Sequence, residues 1–469
     1  MRSSNLGRFR QQVRFLQRQF LQDGELPFTD VLSAELVSQA LIAANTVWKD
    51  RIYTPLTTLW IFLGQILDAD HSCRAAVTRF IAYRVSHGQS HCSAETGAYC
   101  QARKRLPEKF FSDIARQTGQ ALETNTPSGW LWKSKRVYAF DGSTVMMPDT
   151  PKNQADYPQN VTQKPGIGFP IARIAAIFSL SCGAIVDLGI SRYAGKGQSE
   201  LGILRRMGDF FRRGDILLGD RLMCTFQDIV LLQKRGVDVI SPLQIMRQAD
   251  FRKGKRLGKG DHIIRWSKPY FRSLSWQAQK KLPEFITVRE CRVRIERPGY
   301  RSTVMIVVTT LLDAKQYTKE DLAGLYRARW NAELDLRSLK QTLQMEMLRC
   351  KTPELVRKEI WAHMLAYNLI RTIMAQAAVK HSIEPRTISF KGATQTLKAF
   401  QEKIASQGQR NCALRMHFYH AILDITASQR VANRPGRFEP RLIKRRRGKY
   451  DLLMKPRDET KRRMLKGVR

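Results

Sequence analysis

The sequence predicts an α/β protein whose mixed-sheet core carries a β-rich insertion, preceded by an α-helical N-terminal region and followed by a helical, basic C-terminal region. Three observations carry this. From Lys135 to Ile240 short apolar runs alternate with helical periods in the order strand, strand, strand, helix, strand, helix, strand, the pattern of a sheet with helices packed on it. Between Pro242 and about residue 311 the texture turns basic, Gly-punctuated and aromatic, and ends in two long strands. The first 130 residues or so read as helix throughout. The segments expected are therefore 1–130, a first core part at 131–241, the insertion at 242–311, a second core part at 312–378 and the C-terminal region at 379–469.

The N-terminal helices begin with a basic amphipathic stretch from Arg8 to Phe20, then apolar-periodic stretches at Leu32–Trp48, Leu56–Leu67 and Cys73–Val85. After His87-Gly-Gln-Ser-His91 another helix starts near Thr96, carries Gln101, Arg103, Lys104 and Arg105, and is closed by Pro107. Two helices joined by a Gly-containing turn, the second rich in Arg, Lys and Gln, suggest a helix-turn-helix reader of DNA, with Arg103 and Arg105 on its surface. A plain solvated basic helix is the competing reading, because the connecting loop exceeds the usual turn.

In the core, Val137-Tyr-Ala-Phe140 reads as a short buried strand ending in Asp141-Gly-Ser-Thr144. Ile171–Leu180 and Ala184–Ile190 form a hairpin turned by Ser181-Cys-Gly183, and Ser199–Arg213 is a helix. Ile216–Leu218 is a strand running into Gly219-Asp220-Arg221, followed by a helix near Thr225–Lys234 and a strand at Val237–Ile240. In the insertion, Phe285–Ile295 and Thr303–Thr310 pair through a turn at Pro298-Gly299. Helices at about Val356–Ala378 and Thr394–Ser406 follow, and the tract from Arg434 to Arg469, with Lys444-Arg-Arg-Arg447 at its centre, is too charged to bury a core without a nucleic acid to order it.

Charge points to a polyanion. Among 469 residues 80 are Lys or Arg against 41 Asp or Glu, a formal charge of +39, which steers association with DNA or RNA and makes it salt-sensitive. An anionic membrane surface is the weaker option. The longest apolar run, Leu56–Leu67, is too short for a membrane span. Met1-Arg-Ser-Ser-Asn5 has no apolar stretch behind it, so no secretory signal is expected and the cytoplasm is the expected compartment. Eight scattered cysteines without a C-x-x-C pair read as reduced thiols. Cys73, His87, His91 and Cys92 mix metal-ligand types at a spacing that fits no common zinc finger.

The segment from Tyr326 to Lys340 is the most informative in the chain. On one helix Tyr326, Arg329, Glu333 and Lys340 fall within about 60° of one another, with Arg337 beside them, bordering an apolar stripe of Leu325, Ala332, Leu336, Leu339 and Leu343. A carboxylate at that border sits at the lip of a cleft, flanked by cations that can hold phosphates. Asp335, roughly opposite the row, is expected to meet water. A salt-bridged amphipathic helix, with Arg329 paired to Glu333, explains the same row without function.

Asp141 and Asp220 end strands, where open α/β sheets build sites, and Glu333 is the third carboxylate. Singly, each aspartate reads more simply as a cap or turn residue. As a converging set, three carboxylates repel one another unless cations lie between them. Hard oxygen ligands suit Mg2+ or Mn2+, and two such ions about 4 Å apart stabilise both attacking and leaving oxygens in phosphoryl transfer.

Asp141-Gly-Ser-Thr144, Gly219-Asp220-Arg221 and the Tyr326, Arg329, Glu333, Lys340 spacing closely resemble the DDE transposases of the insertion sequence 4 family. Leu325–Trp330, Leu348–Glu354, Ala366–Arg371 and Arg434–Arg441 agree with that family too. The resemblance covers most of the chain from about Cys73 and is weakest in the insertion and the first fifty residues. It implies a ribonuclease H-like catalytic core in which Asp141, Asp220 and Glu333 hold the metals. Tyr326, Arg329 and Lys340 would grip the DNA backbone beside the scissile phosphate. The implied chemistry is nicking by metal-activated water, then attack by the freed 3′-hydroxyl on target DNA. The implied partners are terminal inverted repeats, target DNA and a second copy of the chain in a DNA-bound homodimer. Some relatives pass through a hairpin with a flipped base stacked on an aromatic of the insertion, a role open to Trp266 or Trp276.

Three rivals stand beside this reading. A ribonuclease H-like nuclease would use the same carboxylates and stop at hydrolysis. A domesticated DNA-binding protein would not need Glu333. A tyrosine recombinase is suggested only by His71-Ser-Cys-Arg74 with Tyr99 following, a short and common match.

Overall fold

The structure, a computed structural model, describes residues 3–48, 51–272, 274–295, 303–408, 411–431 and 453–466. Among the described residues six α-helices precede the sheet: α1 (Ser3–Gln19), α2 (Ala34–Ala43), α3 (Pro55–Leu67), α4 (Cys73–Ser86), α5 (Gly97–Arg105) and α6 (Glu108–Thr124). Ser33, Thr54 and Ser72 start α2, α3 and α4 by accepting from the backbone N–H of Leu36, Thr57 and Ala75, groups with no partner inside their helices. Helix α2 is shorter than the Leu32–Trp48 period suggested. Asn45, at φ +47°, turns the chain out of the helical region.

The core strands are β1 (Val137–Met146), β2 (Ile171–Ser179), β3 (Ile185–Arg192), β4 (Ile216–Leu218) and β5 (Asp238–Pro242), with helices α7 (Pro151–Asp156), α8 (Glu200–Arg206) and α9 (Phe226–Gln233) between them. Then follow β6 (Lys255–Gly258), β7 (Asp261–Ser267), α10 (Trp276–Lys280), β8 (Phe285–Ile295) and β9 (Thr303–Thr309). Strands β1, β2 and β3 run antiparallel, and β4 and β5 continue the sheet parallel to β1. Among the described residues the nine strands form one sheet in the order β3-β2-β1-β4-β5-β9-β8-β7-β6.

The insertion strands thus extend the main sheet instead of forming a layer of their own. Ile240, Ser241 and Pro242 of β5 face Thr309, Val308 and Val307 of β9, antiparallel, so Pro242 closes a core strand and does not open the insertion. The expected turn at Pro298-Gly299 lies outside the described residues. Two other boundaries move. Strand β1 does not end at Phe140 but runs to Met146, because beyond the end of β4 its other edge stays paired with β2 from Tyr138↔Ser179 to Met146↔Ile171. The helix expected over Ser199–Arg213 stops at Arg206, where Met207 leaves the helical path and a 3-10 turn forms over Gly208–Phe210.

The alternation of β1 feeds two cores. Val137 and Ala139 face the helices of the N- and C-terminal regions, whereas Tyr138 and Phe140 face Ile203, Leu204 and Met207 around α8. After the sheet come α11 (Lys319–Ala328), α12 (Trp330–Arg337), a π-helical turn over Ser338–Thr342, α13 (Pro353–Lys380), α14 (Phe390–Ser406), α15 (Cys412–Ser428) and α16 (Arg457–Leu465). Helix α13 is buried on nearly every side from Val356 to Ala378 and packs against α6, α3 and α15, which joins the N-terminal helices to the C-terminal ones in one core. Part of the basic tail is α16; Lys444–Arg447 and Arg434–Arg441 lie outside the described residues. Among the described residues no helix is long and apolar enough to cross a membrane.

Candidate active site

Register brings the two aspartates together. Ala139 of β1 pairs in parallel with Leu218 of β4, and Asp141 and Asp220 each lie two residues beyond that last pair, side by side where β4 ends and β1 runs on. Asp141 stays in β1 and accepts from the backbone N–H of Gly142 at 2.9 Å. Asp220 caps the short turn that follows β4, its Oδ1 accepting from Leu222 at 2.9 Å and Met223 at 3.2 Å. Being a cap and lining the site are compatible, because both backbone bonds use one carboxylate oxygen.

Glu333 arrives from the other side of the chain. Helix α12 packs on β1, and the segment after the π turn is tied to the far end of that strand: Met146 N–H donates to Glu346 O at 3.0 Å, and Leu348 N–H to Met146 O at 2.8 Å. The predicted single helix is two segments, α11 and α12, meeting at Arg329, where 3-10-type bonds replace the α pattern. Asp141, Gly142, Ser143, Asp220, Arg329, Glu333, Arg337 and Lys340 line one cleft of about 490 Å³. Tyr326 is buried at its edge, with the Arg329 guanidinium 6.0 Å from its ring. Burial pushes the Tyr326 hydroxyl above its ordinary pKa.

Arg329 stands between the acids. Its Nη2 donates to Glu333 Oε1 at 2.5 Å and its Nη1 lies 3.7 Å from Asp141 Oδ2. The i to i+4 pair expected of an ordinary amphipathic helix is therefore present, but aimed into the cleft. Burial works against the charge on Arg329, yet Tyr326, Asp141 and Glu333 outweigh it and hold the guanidinium above its ordinary pKa. Asp141 is pushed up to about 6, first by burial and then by Glu333 and Glu200, against the pull of Arg329. Lys340 leans on Glu346 at 3.6 Å, and Arg337 donates to Gln341 at 2.9 Å.

Glu200 is the residue that sequence reasoning missed. It opens α8 behind the Ser199 cap, and its carboxyl carbon lies 2.5 Å from where a Cβ on Gly142 would stand. Only glycine at 142 lets that carboxylate approach β1. Burial, followed by the charge of Asp220, raises its pKa. The available signal was Ser199-Glu200 at the start of a helix following the third strand, which reads as an ordinary helix start.

Several expected residues sit elsewhere. Asp335 does not meet water: at 1 % exposure it is bound by Arg371 of α13 and by Arg386 at 2.9 Å. The wheel placed it correctly opposite Glu333, but α13 and the loop after it cover that face. Gly183, at φ +78°, leaves room for both guanidiniums beside the β2–β3 turn. Arg103 is not a surface reader either. It is 4 % exposed, between the rings of Phe62 and Tyr99, and the polar side chains that α5 exposes are Gln101, Lys104 and Arg105. Trp266 is 5 % exposed, donates to Glu290 at 2.8 Å and is covered by Arg247, which leaves no face for a base. Trp276 is 68 % exposed, with Lys280 over its ring. The mixed His/Cys set is not a metal centre: Cys73 turns inward to Arg103, while His87 contacts the carbonyls of Tyr83 and Ala405. No group of three or more His, Cys, Asp or Glu among the described residues is gathered as a ligand set in this arrangement.

The family described as Transposase DDE domain matches residues 132–369, a span that includes all three carboxylates. The chain belongs to that family. It is 26 % identical over 354 residues to transposase InsG for insertion sequence element IS4 of Escherichia coli K12, covering 74 % of this chain and 76 % of that one. A shorter stretch of 69 residues is 39 % identical to the transposase for insertion sequence element IS421 of Escherichia coli, covering 15 % of this chain and 19 % of that one. With the first of these similarities the chain falls among the DDE transposases of the insertion sequence 4 family. A piggyBac transposase synaptic complex with hairpin DNA superposes with a TM-score of 0.41 at 10 % identity, over 87 % of this chain and 84 % of that one.

Proposed function

We propose that this transposase binds the terminal inverted repeats of an insertion sequence, hydrolyses phosphodiester bonds at the element ends and joins the freed 3′-hydroxyls to target DNA, with Asp141, Asp220 and Glu333 as the catalytic carboxylates. The observation that carries this is the lining of one cleft by all three, from the middle of β1, the end of β4 and a helix far apart in sequence. The strand order β3-β2-β1-β4-β5, three antiparallel strands followed by two parallel ones, supports a ribonuclease H-like core.

The donor set fits Mg2+ or Mn2+, two ions in the reading proposed. Asp141, Asp220 and Glu333 offer hard oxygens, and Asp141, its pKa raised first by burial and then by Glu333 and Glu200, is a carboxylate whose charge divalent cations would stabilise. When bound, the ions would activate water and neutralise charge on the reacting phosphate. The chain's own residues do the rest. Arg329 holds Asp141 and Glu333 while DNA is absent; an incoming phosphate offers its guanidinium a bidentate partner and draws it off the carboxylates. Lys340 and Arg337, at the mouth of the cleft, take neighbouring phosphates. Tyr326 supports Arg329 from below.

In the same reading the helices of 1–130 present Arg105 to DNA and Trp276 supplies an exposed aromatic from the insertion. The chain works as a homodimer on paired ends, DNA-associated in the cytoplasm. The test is to incubate the protein and Mg2+ with inverted-repeat DNA and a target plasmid. Joined products that disappear in Glu333→Ala, with end binding kept, support the proposal. Nicks without joining would assign the site to a hydrolytic nuclease, and activity in cells that survives Glu333→Ala would assign the chain to DNA binding alone.

A further inference from the structure

Arg103 raises a charge problem away from the cleft. Its guanidinium is buried, its Nε has no hydrogen-bond partner, and no carboxylate among the described residues pairs with it. Its polar neighbours are sulfurs: Nη2 lies 3.1 Å from Cys73 Sγ and 3.6 Å from Cys100 Sγ, and Nη1 lies 4.0 Å from Cys350 Sγ. The other contacts are the faces of Phe62 and Tyr99, 4.9 and 4.7 Å away. Burying a cation with no anion costs several kcal/mol. A thiolate supplies the missing charge. The Cys73 and Cys100 sulfurs are 3.9 Å apart, close enough to share one proton. Through that bond first, and through Arg103, Cys100 is held down to about 5, while Cys73 is pushed up. Both thiols are half-buried and border a cavity of about 480 Å³ whose lining also includes Asp70, His71, Arg349, Lys351, Glu359 and the buried Cys350.

We propose that Cys73 and Cys100 are a reactive thiol pair, activated by Arg103, that a two-electron oxidant such as hydrogen peroxide converts to a disulfide. The thiolate sulfur attacks one peroxide oxygen; an S–O bond forms as the O–O bond breaks, and the departing hydroxide leaves as water after taking a proton. The second sulfur then attacks the sulfenic sulfur. The S–S bond forms as the S–O bond breaks, and hydroxide leaves with the thiol proton as a second water. Two thiols are oxidised and one peroxide is reduced to two waters. Closing from 3.9 Å to disulfide length joins the first residue of α4 to α5 and removes the counter-charge of Arg103 at the seam where Lys358 of α13 donates to the carbonyls of Arg103 and Lys104 at 3.3 and 3.0 Å. Oxidation therefore stiffens the α4–α5 unit and loosens its seat on α13. The inference stands independently of the three carboxylates.

The test uses the reduced full-length protein. After brief peroxide exposure, thiol blocking and peptide mapping by mass spectrometry, the expected product is a Cys73–Cys100 linked peptide that dithiothreitol reverses and Cys100→Ser eliminates. With iodoacetamide at pH 6, one thiol of the pair should alkylate about tenfold faster than exposed Cys412, the gain left after the lower nucleophilicity of a low-pKa thiolate. An Arg103→Lys variant, which keeps the charge, should retain the linked peptide. Oxidation of Cys412 ahead of the pair in the folded protein, or alkylation of the pair only above about pH 8, would overturn the proposal.

Discussion

Asp335→Ala separates the structural acid from the proposed catalytic one on one short helix. The Asp335 side chain is 2 % exposed and is the shared anion of Arg371 and Arg386, whose side chains are 6 % and 14 % exposed. Truncation leaves two largely buried guanidiniums facing each other across the β2–β3 turn. Breaking a buried pair in this way costs about 3–5 kcal/mol. At roughly 2 °C per kcal/mol for a unit of this size, the melting temperature should fall by about 6–10 °C. Glu333, two residues earlier, is 34 % exposed and pairs with Arg329 along the helix, an interaction worth about 0.3–0.5 kcal/mol, so Glu333→Ala should melt within about 1 °C of the parent. Circular dichroism of both variants at one salt concentration, alongside end cleavage, reads the contrast. Glu333→Ala should be inactive and stable, whereas Asp335→Ala should be unstable yet active at temperatures where it stays folded. Equal melting temperatures would refute the argument that the face opposite Glu333 is sealed.

Other outcomes follow from the same geometry. Removing the guanidinium between Asp141 and Glu333, as Arg329→Ala, should tighten Mn2+ binding in the absence of DNA while lowering cleavage by about 100-fold; calorimetry showing unchanged or weaker metal binding would count against the counter-ion role. Trp266→Ala should cost about 3–5 kcal/mol because the ring is buried, whereas Trp276→Ala should leave the melt unchanged and weaken binding to DNA with an unpaired base; a stable Trp266→Ala protein would contradict the packing described. DNA affinity should fall about 10³–10⁵-fold between 50 and 200 mM salt if six to ten phosphates are contacted, and Lys340→Ala should flatten the salt slope by about one. A slope unaffected by Lys340→Ala would take that ammonium off the phosphate backbone.

Much of the candidate site was legible because its chemistry is written in residue type and local period. The run from Tyr326 to Lys340 showed a polar row bordering an apolar stripe, and two short apolar runs leading into Asp141 and Asp220 put both acids on strands of the sheet or just past them. Pair register then explains why those aspartates are neighbours, a fact that follows from Ala139↔Leu218 and that no local pattern contains. Elements with strong periodicity, such as β8 and α13, were read nearly to their ends. Boundaries set by a partner were not: β1 runs past Phe140 because β2 holds its edge, and α2 stops early at Asn45.

The amino-acid order by itself determined which side chains share a face, where strands and helices alternate, and that the chain carries a basic surface for a polyanion. Only the tertiary structure decided which faces are covered. Asp335 looks solvent-facing on a helical wheel and Arg103 was expected on a DNA-reading surface, yet both are buried, because α13 and α3, distant in sequence, pack over them. Glu200 looks like a helix start and reaches the acids of the sheet, because a glycine stands opposite on β1. A wheel or an alternation records direction relative to one element's axis. Burial, charge pairing and the company a carboxylate keeps depend on what a second element brings to that side.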